Sequence, residues 1–508
     1  SRMQLYLPDP NMVENFKKVF GKNNAEARKD WIRAYNEDNF MFIGDEKAQY
    51  VSTTYSNFIN TEVINFSITS NIRAIPSVFD GLKQSQRKII FACFKKKIVA
   101  GQGDEIKVVE VAAHTTSIAE YHYNDKCLSD AAVCMAQDFI GAGNINYLEP
   151  AGQFGSRLKG GKDAAETRYV MTRLEKIMTA LFRAEDFPVL TYRQGEKGPI
   201  EPEYYVPVIP TILVNGCDGI GTGWSTSIPA FNPLDIVRAL RIWIRENLDE
   251  ITTVNVGKSK LTFSELPELL PWYRGFRGTV KKVGYQRYQT EGVVQLTSEN
   301  SVQITELPIG KWTSDFKETL KELREKEVIE DFIDHSSAVR VDFTLIGNPE
   351  NILKHLNLVT KLSTSNMTAF TDYSHPPVTF DSVDQIIFTF AKERLRLYQL
   401  RRDYILANLL KRMTATAEKY RFIQAVVSDQ IVIFKKKKAE ILQKIQQANF
   451  QQIDGSHEYL LKIPVSNFCY DMIEKLAAQY NLLRKEYDTL LNTTTRQMWE
   501  KELDEFER

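Results

Sequence analysis

Long apolar runs, cysteine pairs, histidine clusters and an excess of either charge are all missing from this 508-residue sequence. No stretch of about 18 apolar residues occurs, so no membrane span and no membrane partner is expected. No leader pattern of charge, apolar run and small residues opens the chain. The five cysteines, Cys93, Cys127, Cys134, Cys217 and Cys469, are odd in number and scattered, with no CxxC pair. That is the pattern of reduced thiols in an intracellular protein. The six histidines show no metal-ligand spacing, so no zinc site and no metal ligand is assigned. Lysine plus arginine and aspartate plus glutamate both number 65. A formal charge of zero excludes a dispersed polybasic tail and at first argues against a nucleic-acid partner.

What is present is an ordinary folded composition, 43% hydrophobic and 26% charged, with length for roughly three domains. The neutral sum hides blocks. Residues 73–97 carry seven basic residues against Asp80 alone, and 101–150 carry two basic against eight acidic. Residues 151–176 hold six basic against three acidic, 301–350 six against eleven, and 401–450 eleven against four. Basic zones among acidic flanks can bind a polyanion although the whole chain is neutral. The run Lys435–Lys438 reads more simply as a solvated helix face.

Residues 1–50 are polar and helix-prone, with an amphipathic helix expected over 24–34, and read as a connector. From about 55 to 147 the pattern is mostly helical. A helix fits 57–68, Pro76 disfavours helix at Ile75, and Ser85 can N-cap the helix holding Arg87, Lys88, Ile89, Ile90 and Phe91. A third helix fits 125–139, with Cys127, Ala131 and Met135 four apart. Short helices with cations on one of them suit a helix-turn-helix or winged-helix module. A buried strand is expected over 206–214. Residues 271–345 turn strand-rich and read as a separate α/β subdomain. From 382 to about 445 the chain reads as long and helical, with few breaks. After a loop with Asp454, Gly455 and Pro464, Ser466 is the expected N-cap of a second helix. There Ile473, Leu476, Tyr480, Leu483, Tyr487 and Leu490 repeat at heptad spacing, the seam of an antiparallel coiled coil with a knob at its tip.

Two glycine-rich segments carry the chemistry. In 152–169, four glycines (152, 155, 160, 161) lie among four cations, Arg157, Lys159, Lys162 and Arg168. Glycine frees the backbone to approach a ligand and the cations suit phosphate, although the Walker spacing is not met. If the ligand is a phosphodiester, Ser156, Thr167 or Tyr169 is the candidate nucleophile. Tyrosine has the lowest intrinsic pKa, about 10, and its phenolate leaves well, so a phosphotyrosine bond is reversible. Arg168 is placed to stabilise the charge that develops. The second segment, 215–224, holds Gly216, Gly219, Gly221 and Gly223 around Ile220.

The stretch 152–169, ending Asp163-Ala-Ala-Glu-Thr-Arg168-Tyr169, resembles the active-site loop of type IIA DNA topoisomerases of the eukaryotic kind. Further blocks follow in the same order as in that family. They are Ile75-Pro-Ser-Val-Phe-Asp-Gly81-Leu-Lys83-Gln-Ser-Gln-Arg87-Lys88, Ala119-Glu-Tyr-His122, Glu201-Pro-Glu-Tyr-Tyr-Val-Pro-Val-Ile-Pro, 215–224, and Glu306-Leu-Pro. The resemblance covers the chain from about residue 24 onward. It implies a mixed, mainly α fold. A connector over 1–54 would follow a missing Toprim domain. A winged-helix domain with the active-site loop would span 55–190 and an α/β tower domain 191–380. A long antiparallel coiled-coil arm ending in a dimerisation gate would span 381–508.

By the same resemblance, Tyr169 is the nucleophile that bonds to the 5′ phosphate of each cut strand, and Arg168 its transition-state partner. Lys83, Arg87 and Lys88 are winged-helix contacts to the DNA backbone. His122, Gln153, Arg157 and Lys162 complete the DNA-binding set, and Ile220 wedges between base pairs to bend the duplex. The implied partners are double-stranded DNA and a second copy of the chain through the coiled-coil gate. Mg2+ and ATP are the cofactors implied for the full-length enzyme. Both would bind domains absent here, since the sequence holds no Asp-x-Asp and no ATPase motif. The chain is therefore expected to be an excised part that binds DNA but cleaves poorly alone. Tyr123 stands where cellular enzymes have a second histidine. The divergence from animal and fungal versions resembles the enzyme of a large cytoplasmic DNA virus, which implies the host cytoplasm; a cellular enzyme would imply the nucleus. A non-catalytic dimeric DNA-binding protein with coiled-coil arms is the alternative of a different class. A tyrosine recombinase or relaxing nuclease is a third.

Overall fold

A computed structural model describes residues 3–36, 50–246, 252–256, 259–263 and 266–508. The chain divides into two compact units. One is Ser1–Ala184, Leu190–Arg394 and Glu505–Arg508; the other is Glu185–Val189 and Leu395–Asp504. Among the described residues no helix is long and apolar enough to cross a membrane.

The larger unit opens with strand Met3–Leu7, which pairs in parallel with Tyr50–Thr54. Helices Met12–Phe20 and Ala25–Arg33 follow the strand. They bring Val19, Trp31 and Ile32 into a core with Ile59, Ile64, Ile75, Trp224 and Phe370. The segment read as a polar connector is thus folded into the unit. The signal underweighted is Trp31, which is buried and donates from Nε1 to Asn60 Oδ1 at 2.8 Å. Residues 37–49 of that segment lie outside the described residues.

Helix Tyr55–Phe58, a π-helical turn Ile59–Val63 and helix Ile64–Ala74 run on in succession. Ile75 then turns extended, at φ −104° and ψ 132°, as the ring of Pro76 requires. Helix Gln84–Lys96 buries Ile89, Ile90 and Phe91. Ser85 lies inside its first turn and is not its cap. The end is closed instead by Gln86 Oε1, which accepts from Lys83 N at 2.9 Å; this is the returning half of a capping box. Helices Val108–Ala119 and Asp125–Ala136 complete a three-helix module, and Ile106–Lys107 pairs with Met171–Thr172 as its small wing. The last of these helices buries Leu128, Ala132, Val133, Met135 and Ala136. That face is offset from the expected stripe, and Cys127 is exposed.

Residues 206–214 are buried as expected but form no strand. Pro207 and Pro210 have no N–H to give a ladder, and Thr211–Asn215 closes into a short helix. Among the described residues the strand-rich part holds two larger sheets. Thr279–Gly284, Arg287–Glu291 and Val359–Ser363 make one. Val293–Ser298, Ser301–Glu306, Phe343–Ile346 and Asp331–Asp334 make the other, in that spatial order. Helices Thr313–Glu325 and Pro349–His355 cover the second sheet. Val302, Ile304, Phe343 and Leu345 from the strands meet Phe316, Leu320 and Ile352 from the helices, the alternation that one buried sheet face demands. Ser77 bridges to Phe370, and Ser227 N donates to Asn366 O at 2.9 Å. The helical and strand-rich parts are therefore laced into one unit.

The smaller unit is an antiparallel helical arm. Val383–Val427 is a single helix of 45 residues, whose residues from Leu395 onward belong to this unit. It ends 18 residues before the expected stop near 445. Asp429 takes a left-handed conformation, φ 55°, and the chain re-enters helix only at Lys438–Gln447. The return helix is Tyr470–Asn492, capped at Cys469 rather than Ser466, which sits in a preceding 3-10 turn. Leu409, Met413 and Leu483 form the seam, flanked by Ile405, Tyr480, Tyr487 and Leu490. The knob at the tip has its own core of Phe422, Val426, Ile431, Ile445, Phe450 and Leu460.

Candidate nucleic-acid interface and nucleophile

The first glycine segment is a closed loop in the larger unit. Its ends meet at a bridge between Ala151 and Met171, and Ala165 N donates to Gln153 O at 2.9 Å. Gly155 has φ 97°, and a Cβ there would lie 2.6 Å from Gly161 Cα, so only glycine lets the two arms of the loop touch. Within the loop Ser156 N donates to Asp163 Oδ1 at 2.8 Å, and the Ser156 hydroxyl donates to Asp163 Oδ2. Desolvation pushes the Asp163 carboxyl up, but these hydrogen bonds outweigh it and the net shift is downward.

That geometry sorts the three candidate hydroxyls. Ser156 is buried, and its hydroxyl is committed to Asp163. Thr167 is half-buried. Tyr169 is 72% exposed, on a backbone held by its own N–H donating to Glu166 O at 2.9 Å. The Arg168 guanidinium lies 5.3 Å from the centre of the Tyr169 ring, within cation–π range. Gln153, Lys159, Lys162 and Arg168 are exposed around the same loop.

Three cations expected on the phosphate backbone are interior instead. Arg87 donates to Asp80 at 2.7 and 2.9 Å and to Leu82 O at 2.8 Å. Lys88 donates to Glu201 Oε2 at 2.8 Å and to Ala119 O, so it also neutralises the carbonyl end of helix Val108–Ala119. Arg157 pairs with Glu306 and donates to Leu307 O at 3.1 Å. All three are at least 95% buried. A charge taken out of water needs such a partner, and a guanidinium so committed is not available to a phosphate. Lys83 differs: it is half-exposed, and its Nζ donates to Asp218 O at 2.7 Å.

Asp218 belongs to the second glycine segment, an antiparallel hairpin of Cys217–Ile220 and Ser225–Ile228. Ile220 is 86% exposed at its end. An isoleucine held in water on a backed hairpin gains about 2 kcal/mol when it finds an apolar slot, which is what insertion between bases offers. The backing comes from Asn71, a residue the sequence reading missed. Asn71 Oδ1 accepts from Thr222 N at 2.7 Å, and its Nδ2 donates to Thr222 O at 3.1 Å. No local signal marks a partner 151 residues away. His122 is exposed in the turn after helix Val108–Ala119. Beside it Tyr123 receives the Arg73 guanidinium 4.5 Å from its ring centre. Among the described residues no three His, Cys, Asp or Glu side chains stand together as a metal site.

Residues 73–504 match the family model for the A-type subunits of DNA gyrase/topoisomerase IV, and residues 2–71 match the C-terminal associated domain of TOPRIM. The chain is 34% identical over 538 residues to DNA topoisomerase 2 of Penicillium chrysogenum, covering 98% of this chain and 32% of that protein. It is 35% identical over 511 residues to DNA topoisomerase 2 of Invertebrate iridescent virus 6, covering 100% and 43%. It thus spans less than half the length of these curated relatives. The DNA-binding, cleavage and re-ligation domain of Plasmodium falciparum topoisomerase II is similar in structure. The TM-score is 0.82 at 32% identity, over 99% of this chain and 70% of that one.

Proposed function

This chain belongs to the DNA gyrase/topoisomerase IV family of type II DNA topoisomerases, and on that premise we propose that it is the cleavage and rejoining core of an ATP-dependent type II enzyme. The observation that carries the reading is Tyr169, an exposed phenol on a closed loop with Arg168 against its ring. In the proposed step the Tyr169 phenol loses its proton and its oxygen attacks a backbone phosphorus. A tyrosine O–P bond to the 5′ phosphate forms, the bond to the 3′ oxygen breaks, and that oxygen takes one proton from solvent and leaves as a hydroxyl, which balances the proton the phenol gave to solvent. Arg168 stabilises the charge on the phosphoryl oxygens. Because an ester is exchanged for an ester, the reverse attack restores the strand.

Duplex DNA lies against the loop cations and the hairpin, with Lys83, Lys162 and Arg168 as the charged contacts and Ile220 as the wedge. Homodimerisation places one tyrosine on each strand, which gives paired cuts. The tip of the arm carries exposed Phe434, Val465 and Tyr470, an apolar set suited to pairing with a second copy. Mg2+ and ATP act in the full-length enzyme. The described residues of this chain do not fit a metal site, so no step here is routed through one.

The test is covalent attachment. Full-length protein with duplex DNA, stopped with SDS, is expected to yield a protein–DNA adduct that Tyr169→Phe abolishes. An adduct that survives Tyr169→Phe overturns the nucleophile. Salt-dependent duplex binding with no adduct under any condition favours the non-catalytic dimeric reading instead.

A further inference from the structure

The loop that carries Tyr169 is held from outside its own helical module. Arg157 reaches Glu306 and Leu307 O. The next carbonyls do as much: Arg157 O accepts from Thr313 N at 3.4 Å and Leu158 O from Ser314 N at 2.9 Å. Thr313 and Ser314 open the helix Thr313–Glu325, whose N-cap residue Trp312 makes no side-chain cap. The helix therefore satisfies two of its orphan N–H groups with backbone of the catalytic loop.

Trp312 is free to do something else with its ring. Gly160 has φ 60°, and a Cβ on it would lie 2.3 Å from Trp312 Cε2. The loop backbone is therefore pressed onto the indole, which also meets Phe139 edge-on at 5.8 Å between ring centres. Gln137 Nε2 also donates to Phe154 O at 3.0 Å and to Gly161 O at 3.3 Å. Residues 154–161 are gripped between the end of helix Asp125–Ala136 and the start of helix Thr313–Glu325. The loop then closes on itself at Gln153 and Ala165 and ends at the exposed phenol.

In-line attack on phosphorus tolerates little error, since a displacement of about 1 Å can cost on the order of 100-fold in rate. We propose that Trp312 is a positioning residue for Tyr169. It seats Gly160 and, with the Arg157–Glu306 pair, makes the strand-rich part set the register in which the phenol meets the phosphodiester. This deepens the reading of Tyr169 as the nucleophile and rests on it.

The experiment uses full-length enzyme and a duplex oligonucleotide, with three readouts: SDS-trapped adduct, duplex affinity by anisotropy, and hydrogen exchange of residues 152–169. Trp312→Ala is expected to lower adduct yield by about ten-fold or more. Affinity stays within about two-fold, and amide exchange in 155–165 accelerates. Trp312→Phe, which keeps a ring over Gly160, restores most of the yield. Gly160→Ala drives a methyl into the indole and gives a similar loss. The double variant is no worse than either single one, because both act on one seat. Trp312→Ala that cleaves as well as the unaltered enzyme overturns the proposal, and so do single losses that multiply in the double variant. Should Trp312→Ala fail to fold, Gly160→Ala with unchanged adduct yield overturns it alone. The nucleophile is judged separately, by whether Tyr169→Phe still forms adduct.

Discussion

Replacing Arg87 with Met distinguishes two jobs for a cation that looks, in sequence, like a phosphate contact. Arg87 is 2% exposed and Asp80 0%. Their two hydrogen bonds, at 2.7 and 2.9 Å, form a bidentate pair. Burial works to strip the Arg87 proton, but Asp80 and Tyr373 outweigh it, so the guanidinium holds its charge more firmly than usual. Arg87→Met fills most of the volume and leaves Asp80 as an unpaired buried carboxylate, which costs on the order of 3–5 kcal/mol. Asp80 keeps two backbone donors, Leu82 N and Tyr205 N, each at 2.9 Å, which argues for the lower end, about 3 kcal/mol. Were Arg87 a backbone contact, the same change would leave stability alone and flatten the slope of log K against log salt by about 0.9. Denaturant unfolding and salt-titrated duplex binding measure both quantities on one preparation. The expected result is a large loss of unfolding free energy with an unchanged salt slope in protein kept well below its unfolding midpoint. Adding Asp80→Asn should recover part of the loss, since no bare charge then remains. Unchanged stability with a shallower salt slope would refute the reasoning.

Two further outcomes follow from the same geometry. Ile220→Ala removes the exposed wedge while leaving Lys83 and the loop cations in place, so duplex affinity should change little and DNA bending should fall; bend angles that stay the same by fluorescence transfer would count against the wedge. Asp163 has a folded-state pKa below its ordinary value of 3.8, so its hold on Ser156 contributes fully above about pH 4 and is lost as pH falls through the folded value. Exchange at the Ser156 amide, corrected for intrinsic rate, should be protected near pH 5 and should lose that protection as acid titrates Asp163 below the ordinary carboxylate range; protection that survives protonation of Asp163, followed on the same sample by its carboxyl chemical shift, would sink that account.

The local patterns were the legible ones. Heptad spacing put Leu483 in the arm's seam, and Pro76 marked the break at Ile75, because both depend on neighbours within two turns of chain. The misses have equally local causes. Pro207 and Pro210 denied a ladder to a segment whose apolar run looked like a strand. Asp429 broke the long helix early by entering a left-handed conformation. Trp31 made a polar-looking stretch part of the core. The site divides the same way. Arg168 and Tyr169 are adjacent in sequence, and the structure keeps them in contact. Arg87, Lys88 and Arg157 were assigned to DNA by resemblance to the family, and the structure finds each of them buried against a carboxylate, a pairing that residue identity alone does not reveal.

The family, the order of its blocks, the helical periodicities and the tyrosine beside an arginine are all written in the primary structure. Each of these is a matter of residue identity or short-range spacing. Which hydroxyl faces solvent and which cations are buried against carboxylates emerged only in the folded chain. Lys88 finds Glu201 across 113 positions, and Arg157 finds Glu306 across 149. The cost of burying a charge compels such pairing, but which partner answers it depends on the path of the folded chain.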